Sequence, residues 1–165
     1  MASATASAPT KMSDFAVVRS GLSVYFRMIQ AKVHELTGPL STEQLWARPY
    51  AYGNSIGNLI LHLTGNLNYY IGTQIAGTGY VRQRDLEFRD TGKAKDELLR
   101  NFDQAIETVV ATLAAQSDDD WAATYFGELE SEAHTRFSAF VRCAGHASHH
   151  IGQIIYLQRE LISSS

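Results

Sequence analysis

The sequence predicts an all-α fold, a four-helix bundle, from three observations. Apolar residues recur every three or four positions in four separate segments. No segment alternates apolar and polar residues as a half-buried strand does. Cap or stop signals stand beside the first two segments. The first segment runs from Asp14 to Leu36, with Phe15, Val18, Leu22, Tyr25, Phe26, Ile29, Val33 and Leu36 on one face, and Gly38-Pro39 stops it. The second starts at the Asn54-Ser55 cap, carries Ile56, Leu59, Ile60, Leu63, Leu67 and Ile71 on its stripe, and ends near Gly72. The third spans Lys93 to Ala115 around Leu98, Leu99, Phe102, Ile106, Val109, Val110 and Leu113. The fourth spans His134 to Ile162 around Phe137, Phe140, Val141, Ala144, Ala147, Ile151, Ile154, Ile155 and Leu161.

The link from Thr73 to Gly92 is too long for a tight hairpin. It predicts a crossover that leaves the second and third helices parallel, in up-down-down-up order. Ser41-Thr-Glu-Gln-Leu-Trp46 precedes the second helix much as Ser117-Asp-Asp-Asp-Trp121 precedes the fourth, which hints at two related helical hairpins.

A chain of 165 residues, 45% of them apolar, is long enough to bury one core. Residues 1–11 are small and polar without an apolar h-region, so they read as a disordered N-terminal tail ahead of one domain over 12–165. A net charge of −3 provides no pull toward nucleic acid, and no window is apolar enough for a membrane span. The lone Cys143 excludes an intramolecular disulfide and fits a reducing, cytoplasmic setting.

The chemistry-bearing feature is Gly145-His-Ala-Ser-His-His-Ile-Gly-Gln153. His146 and His150, four apart, stack on one helical face, as a chelating pair must. His62 borders the apolar stripe of the second helix, with Ser55, Asn58, Asn66 and Tyr69 on the same flank. Cys143 and Leu157 share the flank of His146 and His150, whereas Arg142 and His149 face away, so His149 is left out of the ligand set. Three neutral imidazoles suit zinc, nickel, iron or copper better than calcium or magnesium, and they leave positions open for water. A zinc protease places Glu after its first histidine, where this chain has Ala147. An incidental histidine pair on a solvated helix face is the alternative at this point. His34 and His134 lie near helix ends and read as solvated.

These residues resemble the DinB-like superfamily of small metal-binding four-helix bundles, which includes bacillithiol transferases and, more distantly, mycothiol-dependent isomerases. The resemblance rests on Ser55-Ile-Gly-Asn-Leu-Ile-Leu-His62-Leu, on His146-Ala-Ser-His-His150-Ile-Gly-Gln153-Ile, on Arg84-Asp-Leu-Glu-Phe88 and on the leucine-rich third helix. It covers the chain apart from the N-terminal tail. It implies that His62, His146 and His150 are the metal ligands, that the topology is up-down-down-up, and that homodimers are common.

Several other residues carry two readings each. Gln153 orients a ligand or caps a polar contact. Asn58 and Asn66 hold the second nitrogen of His62 or are solvated amides. Cys143 is a fourth ligand or a buried structural thiol. Arg82, Arg84 and Arg89 recognise the carboxylates of a thiol cosubstrate or form surface ion pairs. Tyr69, Tyr70, Tyr80 and Tyr125 line a pocket or cover the bundle end, and Gly152 marks a close helix approach.

The resulting expectation is a metal-dependent enzyme that uses zinc or nickel, or else manganese or iron, and transfers a low-molecular-weight thiol to an electrophile in detoxification or stress response. A metal-dependent hydrolase, a non-catalytic metal-binding stress protein or dimeric scaffold, and a bundle with merely structural histidines are the rivals. The expected partners are a small-molecule substrate and a second copy of the chain. No Asp or Glu occupies the histidine flanks, so a general base such as Asp85, Glu87 or Glu128 has to come from a loop.

Overall fold

The structure is a computed structural model that describes residues 14–127 and 133–163; the expected disordered tail over 1–11 lies outside them. Every regular element among the described residues is helical. A single antiparallel bridge between Thr124 and Thr135 is the only strand-like pairing there. The elements are α1 (Asp14–Thr37), α2 (Thr42–Trp46), α3 (Ile56–Leu67) running into a π-helical turn (Asn68–Thr73), α4 (Arg84–Arg89), α5 (Lys95–Ala115), a 3-10 turn (Asp119–Ala122) and α6 (Arg136–Ser163). No helix among them is long and apolar enough to cross a membrane.

The four long segments match the periodicity, because each buries an apolar stripe, but Phe137 and Val141, expected on the stripe of the fourth, are exposed on α6. Phe26, Ile29, Val33 and Leu36 of α1 are buried, as are Leu98, Phe102, Ile106, Val109 and Leu113 of α5. Phe15 and Tyr25, expected on the apolar face of α1, are 40% and 39% exposed, because they lie at the edge of the stripe. α3 is buried along nearly its whole length, and its first turn is closed by Ser55, whose hydroxyl accepts from the Asn58 N–H at 3.1 Å.

α1 packs against α5 and α6, and α3 packs against the same two helices. Polar pairs tie α1 to α5 and to the segment just after it: Arg19 to Asp118 at 3.2 Å, Arg27 to Glu107, and His34 to Asp103 at 2.8 Å. Lys95 closes the series by donating to the Gly38 and Leu40 carbonyls, both at 2.9 Å. Tyr25 of α1 meets Ser148 of α6 through their hydroxyls.

Three short elements escape the periodicity argument because none is long enough to show a stripe. α2 is held by a full capping box between Ser41 and Gln44 and buries Leu45 completely. The matching Ser117 segment makes a 3-10 turn in which Asp120 accepts from the Ser117 N–H and hydroxyl, and it buries Trp121. The link from Thr73 to Gly92, read as a plain crossover, contains α4, which lies on α3.

Gly152 does not mark a close approach: a Cβ there meets nothing within 4 Å. A glycine that does mark a close approach is Gly57, where a Cβ would stand 2.6 Å from the Trp46 ring. Gly57→Ala is therefore expected to destabilise the fold by about 1–3 kcal/mol through overpacking, and Gly152→Ala to stabilise it by up to about 1 kcal/mol. Urea midpoints of the two variants moving in the same direction would contradict this reading.

Candidate metal centre

His62 lies in the middle of α3 and is 6% exposed; His146 and His150 lie one turn apart on α6, both half-buried. The packing of α3 on α6 points their rings at one another. The Nε2 atom of His146 stands 3.1 Å from Nε2 of His62 and 3.1 Å from Nε2 of His150. One nitrogen from each of the three rings lies within 4.8 Å of the others. Three Zn–N bonds of about 2.0–2.1 Å at tetrahedral angles need nitrogens about 3.3–3.4 Å apart, so this cluster has the size of a cation site.

The outer nitrogens decide which atoms face inward. Nδ1 of His62 donates to Oε2 of Glu87 at 2.8 Å, and Nδ1 of His150 donates to the amide oxygen of Gln153 at 2.7 Å. Each donation places the ring proton on Nδ1 and leaves a lone pair on Nε2. The Gln153 amide nitrogen reaches Nε2 of the exposed His149 at 3.3 Å, which agrees with that orientation of the amide. Nδ1 of His146 is buried without a protein partner. His146 can bring one proton to its two Nε2 neighbours, so at least one of the 3.1 Å contacts holds two lone pairs face to face. A bound cation relieves that repulsion, and the donor set fits a first-row divalent metal.

Burial keeps His146 and His150 in their ligand form. Burial, followed by the charges His150 and His62 would carry, pushes His146 down to about 3. Burial also lowers His150, against the opposing pull of its Gln153 hydrogen bond.

Glu87 is the carboxylate that the flanks of the histidine helices lack, and α4 delivers it. It is 6% exposed and forked by Arg82, whose Nε donates to Oε1 at 2.7 Å and Nη2 to Oε2 at 2.8 Å. Burial alone would raise its pKa; the hydrogen bonds from Arg82 and His62 outweigh burial and hold it below the ordinary carboxylate range. Glu87 is thus committed to orienting His62 and is not the free general base expected from a loop. Asp85 is exposed on the outer side of α4, and Glu128 lies outside the described residues.

Asn58 does not touch His62. Its amide nitrogen donates to the Glu87 and Asp90 carbonyls at 3.1 and 3.0 Å, and Arg48 donates to the Phe88 carbonyl at 2.9 Å, so the open C-terminal end of α4 is clamped to α3. The Oδ1 of Asn66 is buried without a partner and also leaves His62 alone. Cys143 is buried, its thiol pushed up to about 12 by burial, and it is not among the three clustered residues. Arg82 is spent on Glu87 and stands over the Tyr70 ring, while Arg84 lies against Phe88 and Arg89 is exposed. Tyr125 is buried and donates to the Tyr70 carbonyl at 3.0 Å, which makes it part of the packing. His34 is not simply solvated but paired with Asp103, whereas His134 is exposed.

Sequence reasoning missed Gly65. A Cβ there would fall 2.1 Å from Oε1 of Glu87, so only glycine lets the carboxylate settle against α3. The signal was present as a helix-interior glycine three residues after His62.

Arg82→Met leaves a buried, unpaired carboxylate and is expected to cost about 3–5 kcal/mol, whereas the Arg82→Met/Glu87→Met pair recovers most of that loss. Equal urea midpoints for the single and double variants would refute the pairing. A second expectation concerns acid. The folded-state pKa of His146 lies below its unfolded value, so the unfolded chain binds the proton more readily, and metal-free protein loses stability as pH falls from about 6.5 toward about 3. His146→Phe should flatten that part of the stability profile measured by urea unfolding.

The comparisons with known proteins agree with the helical architecture. The structure is similar to the crystal structure of a conserved protein from Enterococcus faecalis, with a TM-score of 0.73 over 88% of this chain and 98% of that one. At 14% identity the likeness concerns the fold alone. No curated protein matches the sequence. A family model described as a protein of unknown function, DUF1572, matches residues 16–165, and the chain belongs to that family.

Proposed function

We propose that the protein is a metal-dependent enzyme of the DinB-like type, in which His62, His146 and His150 hold a divalent transition metal, zinc or nickel first, manganese or iron otherwise. The observation that carries the reading is the convergence of three Nε2 atoms whose outer nitrogens, in two of the three rings, are already committed to Glu87 and Gln153. A metal held by three protein nitrogens keeps open positions and supplies the Lewis acidity that deprotonates a thiol or a water near neutral pH. The chain's own contribution is positional: Arg82 fixes Glu87, Glu87 fixes His62, and Gln153 fixes His150.

With a low-molecular-weight thiol as nucleophile, the reaction is transfer of sulfur to an electrophile, a detoxification step; with water it is hydrolysis. The thiol reading rests on the resemblance to thiol transferases of the DinB-like superfamily. A metal-binding stress protein or scaffold without turnover is the second reading, favoured by the commitment of Glu87 to His62, which removes it as a free base. The reading includes a cytoplasmic setting, supported by the lone Cys143, and a homodimer, which the resemblance implies is common.

An up-down-down-up bundle belongs to this reading. Arg19 of α1 pairs beyond the end of α5 and His34 near its start, so those two helices run in opposite directions. Phe15 and Phe137 share one small cavity while Tyr25 meets Ser148, so α1 and α6 run the same way. Leu61 and Asn101 share one cavity, and Gly72 approaches Thr108, so α3 and α5 run the same way across the link that contains α4.

Elemental analysis of protein purified without a histidine tag tests the centre. Near-stoichiometric metal is expected in wild type and in His149→Ala, and less than a tenth of it in His62→Ala and His150→Ala. Wild-type protein that stays metal-free after reconstitution with zinc, nickel and manganese would refute the proposal.

A further inference from the structure

The groove between α3 and α6 does not end at the histidines. Leu59 precedes His62 by one turn, and Gln153 and Leu157 continue the α6 face of His146 and His150 at the next two turns. Together with Tyr50, Tyr52 and Tyr156 these residues line a cavity of about 390 Å³, within the usual size of a small-molecule pocket. Gln153 belongs to both places, since its amide oxygen holds His150 while its side chain lines the cavity.

The lining of this cavity carries no charge: beside the amides of Asn54 and Gln153 it is aromatic and apolar. Leu59 and Leu157 are buried and apolar. The rings of Tyr50 and Tyr52 stack at 5.7 Å with an interplanar angle of 16° and present a flat aromatic wall. Tyr52 is 91% exposed and Tyr156 73% exposed, so neither ring is there for the sake of the core. No Lys or Arg lines the cavity, and Glu160 accepts from the Tyr50 hydroxyl at 3.3 Å nearby, which disfavours a carboxylate or phosphate ligand. Aromatic walls over an apolar floor favour a flat, uncharged ring through offset or edge-on stacking.

We propose that this tyrosine-walled cavity is a binding site for an uncharged aromatic group. On the metal-enzyme reading above, from which this assignment to a substrate follows, that group is the non-reacting part of the substrate, held one to two helical turns from the histidine centre.

Fluorine NMR titration of the full chain with para-fluorobenzyl alcohol tests it, with para-fluorobenzoate and a methyl glucoside as competitors. Saturable binding of the alcohol is expected, with the benzoate and the glucoside at least about tenfold weaker. Tyr52→Ala/Tyr156→Ala, a double change at exposed positions, should weaken alcohol binding about tenfold while metal content and melting temperature stay at wild-type values. Absence of saturable binding, undiminished binding in the double variant, or preference for the glucoside or the benzoate would overturn the proposal. Metal reconstitution of the same wild-type protein separates the two ideas. Alcohol binding by protein that takes up no metal on reconstitution sinks the metal reading and sustains the cavity, whereas stoichiometric metal without alcohol binding sinks the cavity alone.

Discussion

The rest of the site depends on a buried chain of three side chains, Arg82 to Glu87 to His62. Each carboxylate oxygen of Glu87 accepts from Arg82, and Oε2 also accepts from His62, so a group that would be costly to bury alone is neutralised where it lies. The fork joins a residue of the long link to one on α4 and, through His62, to the middle of α3. Asn58 and Arg48 bind the last carbonyls of α4, and Gly65 leaves room for the carboxylate. A six-residue helix has little stability of its own, and here it is held at both its carboxylate and its C-terminal end.

The consequence for chemistry is a division between proton-bearing and lone-pair-bearing atoms. Fixing the proton on Nδ1 of His62 and His150 turns their Nε2 lone pairs toward His146, and burial keeps His146 neutral. Such a cluster is badly matched to itself and well matched to a cation, which is why the donor set favours a metal site over a merely structural group of histidines. Cys143 does not join it: its thiol is buried in the core and lies outside the cluster of three histidines.

The same groove ties recognition to the centre. Gln153 stands between His150 and the tyrosine-walled cavity, so a ligand resting on Tyr52 and Tyr156 would touch the residue that sets the orientation of a histidine. On the proposed binding there, this one amide would link the ligand to the geometry of the imidazoles.

By itself the sequence determined the four long helices and the stacking of His146 with His150 on one face. Periodicity and the i, i+4 spacing are local properties that survive translation from chain to helix: α1 and α5 end within about two residues of where their apolar stripes end. The flank argument on α3 set His62 beside the buried stripe, and the resemblance joined it to His146 and His150, the two residues it meets in the fold. Only the tertiary structure decided what surrounds them. Glu87 comes from twenty-five residues downstream of His62, on a helix too short to show a periodic stripe, so no local pattern connected the two. Asn58, one turn before His62, was drawn away by the carbonyls of α4, and the open helical glycine proved to be Gly152 while Gly57 and Gly65 received the close contacts. Those outcomes depend on which surface another element presents, and a helix's own sequence carries its buried face without naming the side chain that will be packed against it.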